Sequence, residues 1–449
     1  RSSRSSRPRV LDPLRLPPTL PDMPPLEPET IAMLLAAGRL LPLAAVCYWL
    51  LKPSPRQPAK QPPPGVDWRA RSGLHATVKE KAPATGKSYL VIGTGSVGLI
   101  IMEALVERGE KKVKGLDVVA PRRGVEGATF AVGNVTDYSS IKAACEGVDV
   151  VYLTVALIRY YERLQYQYAA SHAVNVTGTG NVLRACAECG VQVLVQTSTS
   201  NVCVAPALVS TSMDESSELV GPQNSPNHYG WTKAQAETMV LAANGAPLEP
   251  AARGALQTVA VRPCSGIFGL QDNFMTEKWL ELGQVQIMLP EPLIDYVYNE
   301  NVAYAHLLAE AALHAERAKP PPQRRVGGEA FCITNGEPLR AADFHDAVGH
   351  YYERQTGGAF KQTYLPRRLM MALGYAVELV QRATRGRVTG DLALLTPAMF
   401  AVASLTYAFS SAKAKERLGY EPLYTLHEAL QRTVYLWHTH RAGVAGAKK

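Results

Sequence analysis

The sequence predicts an α/β protein with a doubly wound parallel sheet and a smaller C-terminal region. From Ser88 onward, short apolar runs rich in β-branched residues alternate with helical runs, which is typical of strand–helix–strand units. The strand-like runs are apolar almost throughout, as in a sheet buried on both faces. Between Gly269 and Tyr298, and again after Pro338, the alternation is lost and the sequence becomes helical and irregular. The predicted strands are 88–92, 113–119, 129–132, 148–153 and 191–196, and the predicted helices include 99–108, 141–145 and 162–189.

These patterns divide the 449-residue chain into a proline-rich N-terminal segment (1–86), a sheet-forming domain (87–262) and a C-terminal region (263–442). Within the first part, residues 31–51 are apolar and long enough, at about 1.5 Å per residue, to cross a hydrocarbon layer of about 30 Å. Arg39 and Pro42 count against a span, so a surface-lying helix or a signal-type segment competes almost evenly with a membrane-spanning helix. Four Arg and four Ser among the first ten residues are typical of a targeting segment. We therefore expect membrane association.

The amino-acid composition of the chain limits the classes of function that it can have. Hydrophobic residues make up 47% and charged residues 19% of the chain, which is globular composition. The formal charge is +8, but no basic stretch after the N-terminal segment alternates with aromatic residues, so we expect no nucleic-acid partner. The seven cysteines include the pair Cys186 and Cys189 in a predicted helix, without a second ligand pair at zinc spacing. We expect helix packing there and no metal.

A glycine-rich turn follows the first predicted strand and opens a helix. It runs through Gly93, Gly95, Ser96, Val97 and Gly98 in the pattern GxGxxG. Glycines let the backbone turn sharply and approach a pyrophosphate, which the N–H groups at the helix N-terminus then bind. In this strand–turn–helix context the motif predicts a dinucleotide-binding Rossmann domain at 87–262.

The end of the second predicted strand bears on the choice of cofactor. Asp117 stands where a carboxylate accepts hydrogen bonds from the adenosine ribose of NAD. Arg122 and Arg123 follow and could neutralise the 2′-phosphate of NADP. The sequence favours NAD and leaves NADP open.

Tyr229 and Lys233 form the candidate catalytic pair. At positions i and i+4 they share one helix face, so the ammonium can stabilise a phenolate. A phenolate can take the proton of an alcohol as hydride leaves for the cofactor. Thr199, at the end of a predicted strand, supplies a hydroxyl for the same substrate oxygen.

From about Lys87 to His438 the chain resembles the extended short-chain dehydrogenases, and within them the group of 3β-hydroxysteroid dehydrogenases and decarboxylating sterol-4α-carboxylate 3-dehydrogenases. The segments that carry the resemblance are NVTGTGNV (175–182), TSTSNV (197–202), YGWTK (229–233), RPCSGIFG (262–269), DYVYNENV (295–302), GEAFCITNGEP (328–338) and KAKERLGYEP (413–422).

The resemblance implies that Tyr229 is the base, Lys233 its partner and a nicotinamide-ribose contact, and Thr199 the hydroxyl residue. It also implies that Asn175 orders the proton relay and that Pro263 borders the nicotinamide. The region 263–442 would bind the substrate, a sterol or steroid, and the location would be the endoplasmic reticulum membrane, or an organelle after removal of a targeting segment. The sequence leaves a homo-oligomer open.

This chain departs from the family pattern in the glycine loop and at the adenine site. The family's loop is usually GxxGxxG, one residue longer than the loop here. Asn134 stands where an adenine-binding Asp is common, and the amide keeps a hydrogen-bond acceptor. The segment RPCSGIFG is one residue longer than the usual RPxGIFG.

Two other functions stay open, together with the placement of one helix. The same fold could serve as a non-catalytic nucleotide-binding subunit of a membrane complex, or act on a nucleotide sugar or another alcohol. Residues 366–380, apolar with a basic start and with Glu378 inside, predict an amphipathic helix that packs on the domain or lies on a bilayer surface.

Overall fold

The computed structural model describes residues 51–52, 62–121, 123–205, 209–264, 266–272, 275–319, 325–385 and 387–446. The strands are β1 (Ser88–Ile92), β2 (Lys112–Asp117), β3 (Thr129–Val132), β4 (Val150–Leu153), β5 (Val193–Thr197), β6 (Val209–Met213), β7 (Gln257–Pro263), β8 (Ile267–Phe268), β9 (Gln284–Ile287), β10 (Leu293–Ile294), β11 (Val297–Tyr298), β12 (Glu329–Ile333), β13 (Leu339–Arg340), β14 (Lys361–Tyr364) and β15 (Thr406–Phe409).

The helices are α1 (Gly73–Lys81), α2 (Ser96–Glu107), α3 (Tyr138–Cys145), α4 (Tyr168–His172), α5 (Gly178–Cys189), α6 (His228–Ala242), α7 (Thr276–Leu282), α8 (Asn299–Ala318), α9 (Ala341–Thr356), α10 (Arg367–Thr384), α11 (Pro397–Ala403), α12 (Ala412–Leu418) and α13 (Leu426–Gly446). A π-helical turn, Ala173–Thr177, joins α4 to α5.

A seven-stranded parallel sheet forms the centre, in the order β3-β2-β1-β4-β5-β7-β12. The chain builds outward from β1 to β3 and then returns to β4 on the other side of β1. Ligands of such sheets bind where the strand order reverses, at the carboxyl ends of the strands. The prediction of a doubly wound parallel sheet is confirmed.

Alternate residues of each strand face opposite layers of helices, as the period of two requires. Tyr89 and Val91 of β1 lie in a core with α1, α2 and α8, whereas Leu90 and Ile92 lie in a core with α3, α5 and α6. Both faces of the sheet are therefore covered, which explains why the strand sequences are apolar almost throughout.

The structure differs from the sequence-based predictions in two respects, the extent of the central sheet and the start of one helix. Strand β12 and helix α8 lie beyond residue 262 but complete the central sheet and its helical layer. The helix predicted over 162–189 begins only at Tyr168, because residues before it form turns and a short 3₁₀ segment that contact other elements. The later half also forms a four-stranded sheet, β13-β10-β15-β6, and the pairs β11-β8 and β14-β9.

In the part of the chain that the structure describes, no helix combines the length and apolarity needed to cross a membrane. The predicted apolar segment 31–51 lies outside the described residues except for Leu51. Cys186 and Cys189 lie on α5, the first buried and the second half-buried. Within the same described ranges, no cluster of three or more Cys, His, Asp or Glu side chains is arranged to hold a metal.

Candidate active site

The glycine loop closes tightly between β1 and α2. Gly93 has φ +101°, and a Cβ there would lie 2.5 Å from the backbone nitrogen of Val155. At Gly98 a Cβ would lie 1.9 Å from the carbonyl oxygen of Gly93. Gly95 is different, because nothing lies within 4 Å of its Cβ position. The open space at Gly95, next to the first N–H groups of α2, fits a pyrophosphate.

Asp117 holds the loop from the end of β2. Its Oδ2 accepts a hydrogen bond from the backbone N–H of Thr94 at 2.7 Å, and its Oδ1 accepts one from Val118 N–H at 2.7 Å. Both carboxylate oxygens are thus oriented by the backbone. Oδ2 also accepts from the Thr94 hydroxyl at 3.4 Å, so Oδ1 is the oxygen better able to accept from a ribose hydroxyl.

A cavity of about 350 Å³ runs along the carboxyl ends of β1 to β4, at the reversal point of the sheet. Gly95, Asp117 and Asn134 line it together with the apolar side chains of Val135, Val155, Leu157, Ile158 and Val174. The Oδ1 of Asn134 accepts a hydrogen bond from Thr136 N–H at 3.0 Å, which fixes the amide at the cavity wall. This combination of an open glycine, a carboxylate and an apolar slot fits an adenine dinucleotide.

Three further predicted cofactor residues, Ser96, Val97 and Pro263, are not among the residues that line this cavity. The hydroxyl of Ser96 donates to Leu270 O at 3.1 Å and accepts from Asn299 Nδ2 at 2.8 Å, so only its backbone N–H is available to a phosphate. Val97 is half-buried in the first turn of α2. Pro263 ends β7, paired in register with Ile333 of β12.

Helix α6 brings Tyr229 and Lys233 to the end of β5. The side chain of Asn227 caps the helix by accepting from Gly230 N–H at 2.9 Å. A Cβ at Gly230 would lie 2.9 Å from the carbonyl oxygen of Asn201. Because residue 230 has no side chain, the first turn of α6 can approach the strand end closely.

The hydroxyl of Thr199 lies near the phenol of Tyr229 and interacts with it. Their exposed fractions are only 4% and 5%, and Thr199 Oγ1 also accepts from the side-chain amide of Asn201 at 3.0 Å. Burial raises the pKa of Tyr229 to about 12, while the interaction with Thr199 works in the opposite direction. The site therefore holds a protonated phenol until a nearby positive charge stabilises the phenolate.

Lys233, one turn along α6, is almost fully buried. Its Nζ donates to the carbonyl oxygen of Thr197 at 2.8 Å. Burial lowers the pKa of Lys233 to about 8, and the charge of Glu237 one turn further on opposes that shift. Arg262 holds Glu237 through two hydrogen bonds of 2.8 and 2.6 Å.

Asn175 lies in the π-helical turn between α4 and α5. Its side-chain amide accepts from Leu157 N–H at 2.8 Å and donates to Leu157 O at 3.2 Å, so it fixes the segment after β4. Its Nδ2 also donates to the hydroxyl of Thr232 at 3.0 Å. Through its bond to Thr232, Asn175 therefore contacts helix α6 directly beside Lys233.

Sequence reasoning missed Tyr160, which lies in the segment after β4. Its ring meets that of Tyr229 edge to face, with centroids 5.0 Å apart, and the two phenol groups interact. No motif surrounds Tyr160 in the run RYYERL, so the sequence carried no signal for this contact.

Fold and site together define an NAD(P)-dependent dehydrogenase of the extended short-chain type. A family model described as the 3-beta hydroxysteroid dehydrogenase/isomerase family matches residues 90–361, and the chain belongs to this family.

Similar proteins with curated names lie at about 30% identity. Short-chain dehydrogenase/reductase family 42E member 1 of Mus musculus is 30% identical over 79% of this chain and 88% of its own length. The 3beta-hydroxysteroid-dehydrogenase/decarboxylase isoform 1 of Arabidopsis thaliana is 33% identical over 68% of this chain and 66% of its own length. The decarboxylating sterol-4-alpha-carboxylate 3-dehydrogenase of Mus musculus is 28% identical, over 78% and 91% respectively.

Solved structures share the fold. MoeE5, in complex with UDP-glucose and NAD, superposes with a TM-score of 0.56 at 18% identity, over 79% of this chain and 99% of its own. The UDP-glucose 4-epimerase of Thermotoga maritima gives a TM-score of 0.54 at 21% identity over the same shares. At this identity the likeness describes the fold alone.

Proposed function

We propose that this protein oxidises the 3β-hydroxyl group of a sterol with NAD⁺, and that the sterol is a 4α-carboxysterol whose 3-ketone then loses carbon dioxide. The observation that carries the oxidation is that Tyr229 and Thr199 lie together at the end of β5, with the buried Lys233 one turn along α6 from Tyr229. The similarity to the sterol dehydrogenases of Arabidopsis thaliana and Mus musculus supports the substrate class.

In this proposal the substrate oxygen lies between Tyr229 and Thr199. Thr199 holds the oxygen by a hydrogen bond while the phenolate of Tyr229 takes its proton, and the C3–H bond breaks with its electron pair leaving as hydride. Bound NAD⁺ supplies the electrophilic nicotinamide that accepts this hydride. Lys233 stabilises the phenolate that starts the step, since a cation favours the charged form of a neighbouring acid.

Loss of carbon dioxide needs little more from the protein. The new 3-ketone is β to the 4-carboxylate, so the C4–carboxylate bond can break with its electron pair entering an enolate. Negative charge then develops on the oxygen already held by Thr199 and by the newly protonated Tyr229. Hydrogen-bond donors placed where charge develops lower the barrier for such a step.

NAD fits the described residues better than NADP. The carboxylate of Asp117 at the ribose position would repel a 2′-phosphate. Arg123, which the sequence offered as a phosphate ligand, pairs with Glu103 at 2.5 Å instead. Arg122 lies outside the described residues.

We place the protein on a membrane surface, with the endoplasmic reticulum as first choice and another organelle as the alternative. Helix α10 packs inward through Met370 and Val377, yet exposes Leu373, Leu379 and Val380 by 43 to 53%. Arg367 and Arg368, both exposed, begin the same helix. An apolar face beside cations suits an anionic bilayer surface, where a sterol also resides.

The membrane proposal is tested by vesicle flotation of the purified protein. We expect the double variant Leu379→Glu with Val380→Glu to float less with anionic vesicles than the wild type. Leu282→Glu changes an equally exposed leucine on α7 and serves as the control. Unchanged flotation of the double variant would contradict a role for α10.

The catalytic proposal is tested by following the reduction of NAD⁺ and NADP⁺ with a substrate panel. The panel contains a 4α-carboxysterol, a 3β-hydroxysterol without the carboxyl group, and UDP-glucose. We expect the 4α-carboxysterol to reduce NAD⁺ with release of one carbon dioxide per NADH. Turnover of UDP-glucose alone would favour the nucleotide-sugar alternative, and no reduction with any alcohol would favour the non-catalytic subunit.

A further inference from the structure

The phenol of Tyr160 lies against the atom of Tyr229 that exchanges the proton. The rings meet edge to face, with centroids 5.0 Å apart and an interplanar angle of 76°, and the two hydroxyl groups interact. Thr199 contacts the same phenol from the end of β5. Tyr229 is therefore held between two hydroxyl groups, only one of which belongs to a recognisable motif.

The backbone around Tyr160 is fixed on both sides. Before it, the amide of Asn175 bonds both backbone groups of Leu157. After it, the carbonyl oxygen of Tyr161 accepts from the hydroxyl of Thr396 at 3.0 Å.

Two further elements hold the same segment. At the start of α6, His228 N–H donates to Glu162 O at 3.0 Å. Arg163 forms a bidentate pair with the buried Glu378 of α10, at 2.9 and 3.2 Å. Contacts from four elements over seven residues make the position of the phenol a built feature of the fold, which holds its hydroxyl in place without reorganisation.

We propose that Tyr160 is a second catalytic tyrosine, which keeps its own proton and donates a hydrogen bond to the phenolate of Tyr229. This rests on the proposed oxidation, in which Tyr229 acts as the base. A hydrogen bond to the charged form of an acid favours that form, and charge-assisted bonds are the stronger ones. The direction of donation follows from charge, because Lys233 lies one turn from Tyr229 on the same helix and favours the phenolate there.

Other titratable groups surround the pair and would contribute to any pH dependence. Lys233 and Glu237 lie on α6, His306 on α8 is bonded to Thr197, and Tyr407 on β15 interacts with Tyr160. On the segment itself, Arg159 is paired with Glu162 at 2.8 Å. The variant Tyr160→Phe removes one oxygen and leaves all these groups in place, so a change in the pH profile reports on the Tyr160 hydroxyl.

The kinetic test compares Tyr160→Phe with the neighbouring Tyr161→Phe in the full-length protein. We expect Tyr160→Phe to move the rising limb of kcat against pH, in the oxidation direction, upward by about one unit, a loss of about tenfold at neutral pH that high pH restores. We expect KM to stay within about twofold of the wild-type value, because the variant loses no direct bond to the substrate. Tyr161→Phe leaves the profile unchanged.

A second measurement needs no substrate and so separates this proposal from the choice of sterol. The ultraviolet absorbance of tyrosinate is titrated with NAD⁺ bound, and the Tyr229→Phe variant identifies the contribution of Tyr229. We expect Tyr160→Phe to raise the pKa of that contribution. An unshifted titration and pH profile would overturn the proposal, as would a lower KM with undiminished kcat, which would mean that Tyr160 only occupies the substrate's place.

Discussion

Lys233 donates a hydrogen bond from Nζ to the carbonyl oxygen of Thr197, at 2.8 Å. The hydroxyl of Thr197 in turn lies 2.7 Å from Nε2 of His306, whose Nδ1 lies 2.8 Å from Val302 O. Since Nδ1 must donate to that carbonyl, Nε2 accepts from Thr197. The buried ammonium of Lys233 thus anchors helix α6 to the end of β5, and Thr197 anchors β5 to helix α8. These contacts fix the position of α6 relative to the central sheet.

Alanine substitutions at two glycines of the loop, Gly98 and Gly95, are expected to differ in their effect on stability. Gly98→Ala places a Cβ against Gly93 O, so we expect both a lower melting temperature and weaker NAD⁺ binding. Gly95→Ala meets nothing within 4 Å in the protein, so we expect an unchanged melting temperature but weaker NAD⁺ binding, by about tenfold or more, because the methyl group fills space meant for the pyrophosphate. Thermal unfolding and NAD⁺ titration measure the two effects. Unimpaired NAD⁺ binding by Gly95→Ala would contradict this placement of the pyrophosphate.

A buried ionic cluster on the inner side of α8 is a stability determinant. Arg108 pairs with Glu310 at 2.9 Å, and both side chains are at most 1% exposed. Glu310 also accepts from Tyr152 at 2.7 Å. Glu310→Ala leaves the guanidinium without this partner, and we expect a loss of about 3–5 kcal/mol in the free energy of unfolding. Urea denaturation measures it.

The control for that variant is Glu421→Ala, whose partner Lys415 is exposed. Surface ion pairs contribute little, so we expect its urea midpoint to stay near that of the wild type. Equal midpoints for the two variants would show that the buried cluster does not stabilise the fold.

His306 makes the fold sensitive to acid. Burial lowers the pKa of His306 to about 4, below its ordinary value of 6.5. As pH falls through 6.5 the unfolded chain takes up a proton that the folded protein excludes, so stability is lost down to about pH 4, at up to about 1.4 kcal/mol per pH unit. We expect His306→Gln to flatten this part of the stability curve. The exposed His440→Gln is the control, and parallel curves for wild type and His306→Gln would refute the assignment.

The sheet could be predicted from the sequence because both of its faces are buried. Strands buried on both faces are apolar at almost every position. The sequence also predicted the residues of the glycine turn because a sharp turn beside Val155 excludes any side chain at Gly93. The placement of Tyr229 and Lys233 on one helix could be predicted for a similar reason, since residues four apart on a helix lie on one face whatever surrounds them.

Contacts between distant segments were beyond the sequence. Tyr160 reaches Tyr229 only because residues after β4 fold back on α6 and α10, and no local pattern specifies such a return. The sequence predicts an amphipathic helix around Glu378 but does not indicate that Glu378 faces inward to Arg163. The long helix predicted over 162–189 was wrong at its start for the same reason, because long-range hydrogen bonds there override helix propensity.

The most direct test of the account is the oxidation rate of Tyr229→Phe with NAD⁺ and the best alcohol of the sterol panel. We expect kcat to fall by about 10²- to 10⁴-fold, because the proton acceptor is lost, while the melting temperature and NAD⁺ affinity stay near those of the wild type. A variant that folds, binds NAD⁺ and oxidises the sterol at the wild-type rate would contradict the central claim that Tyr229 is the catalytic base.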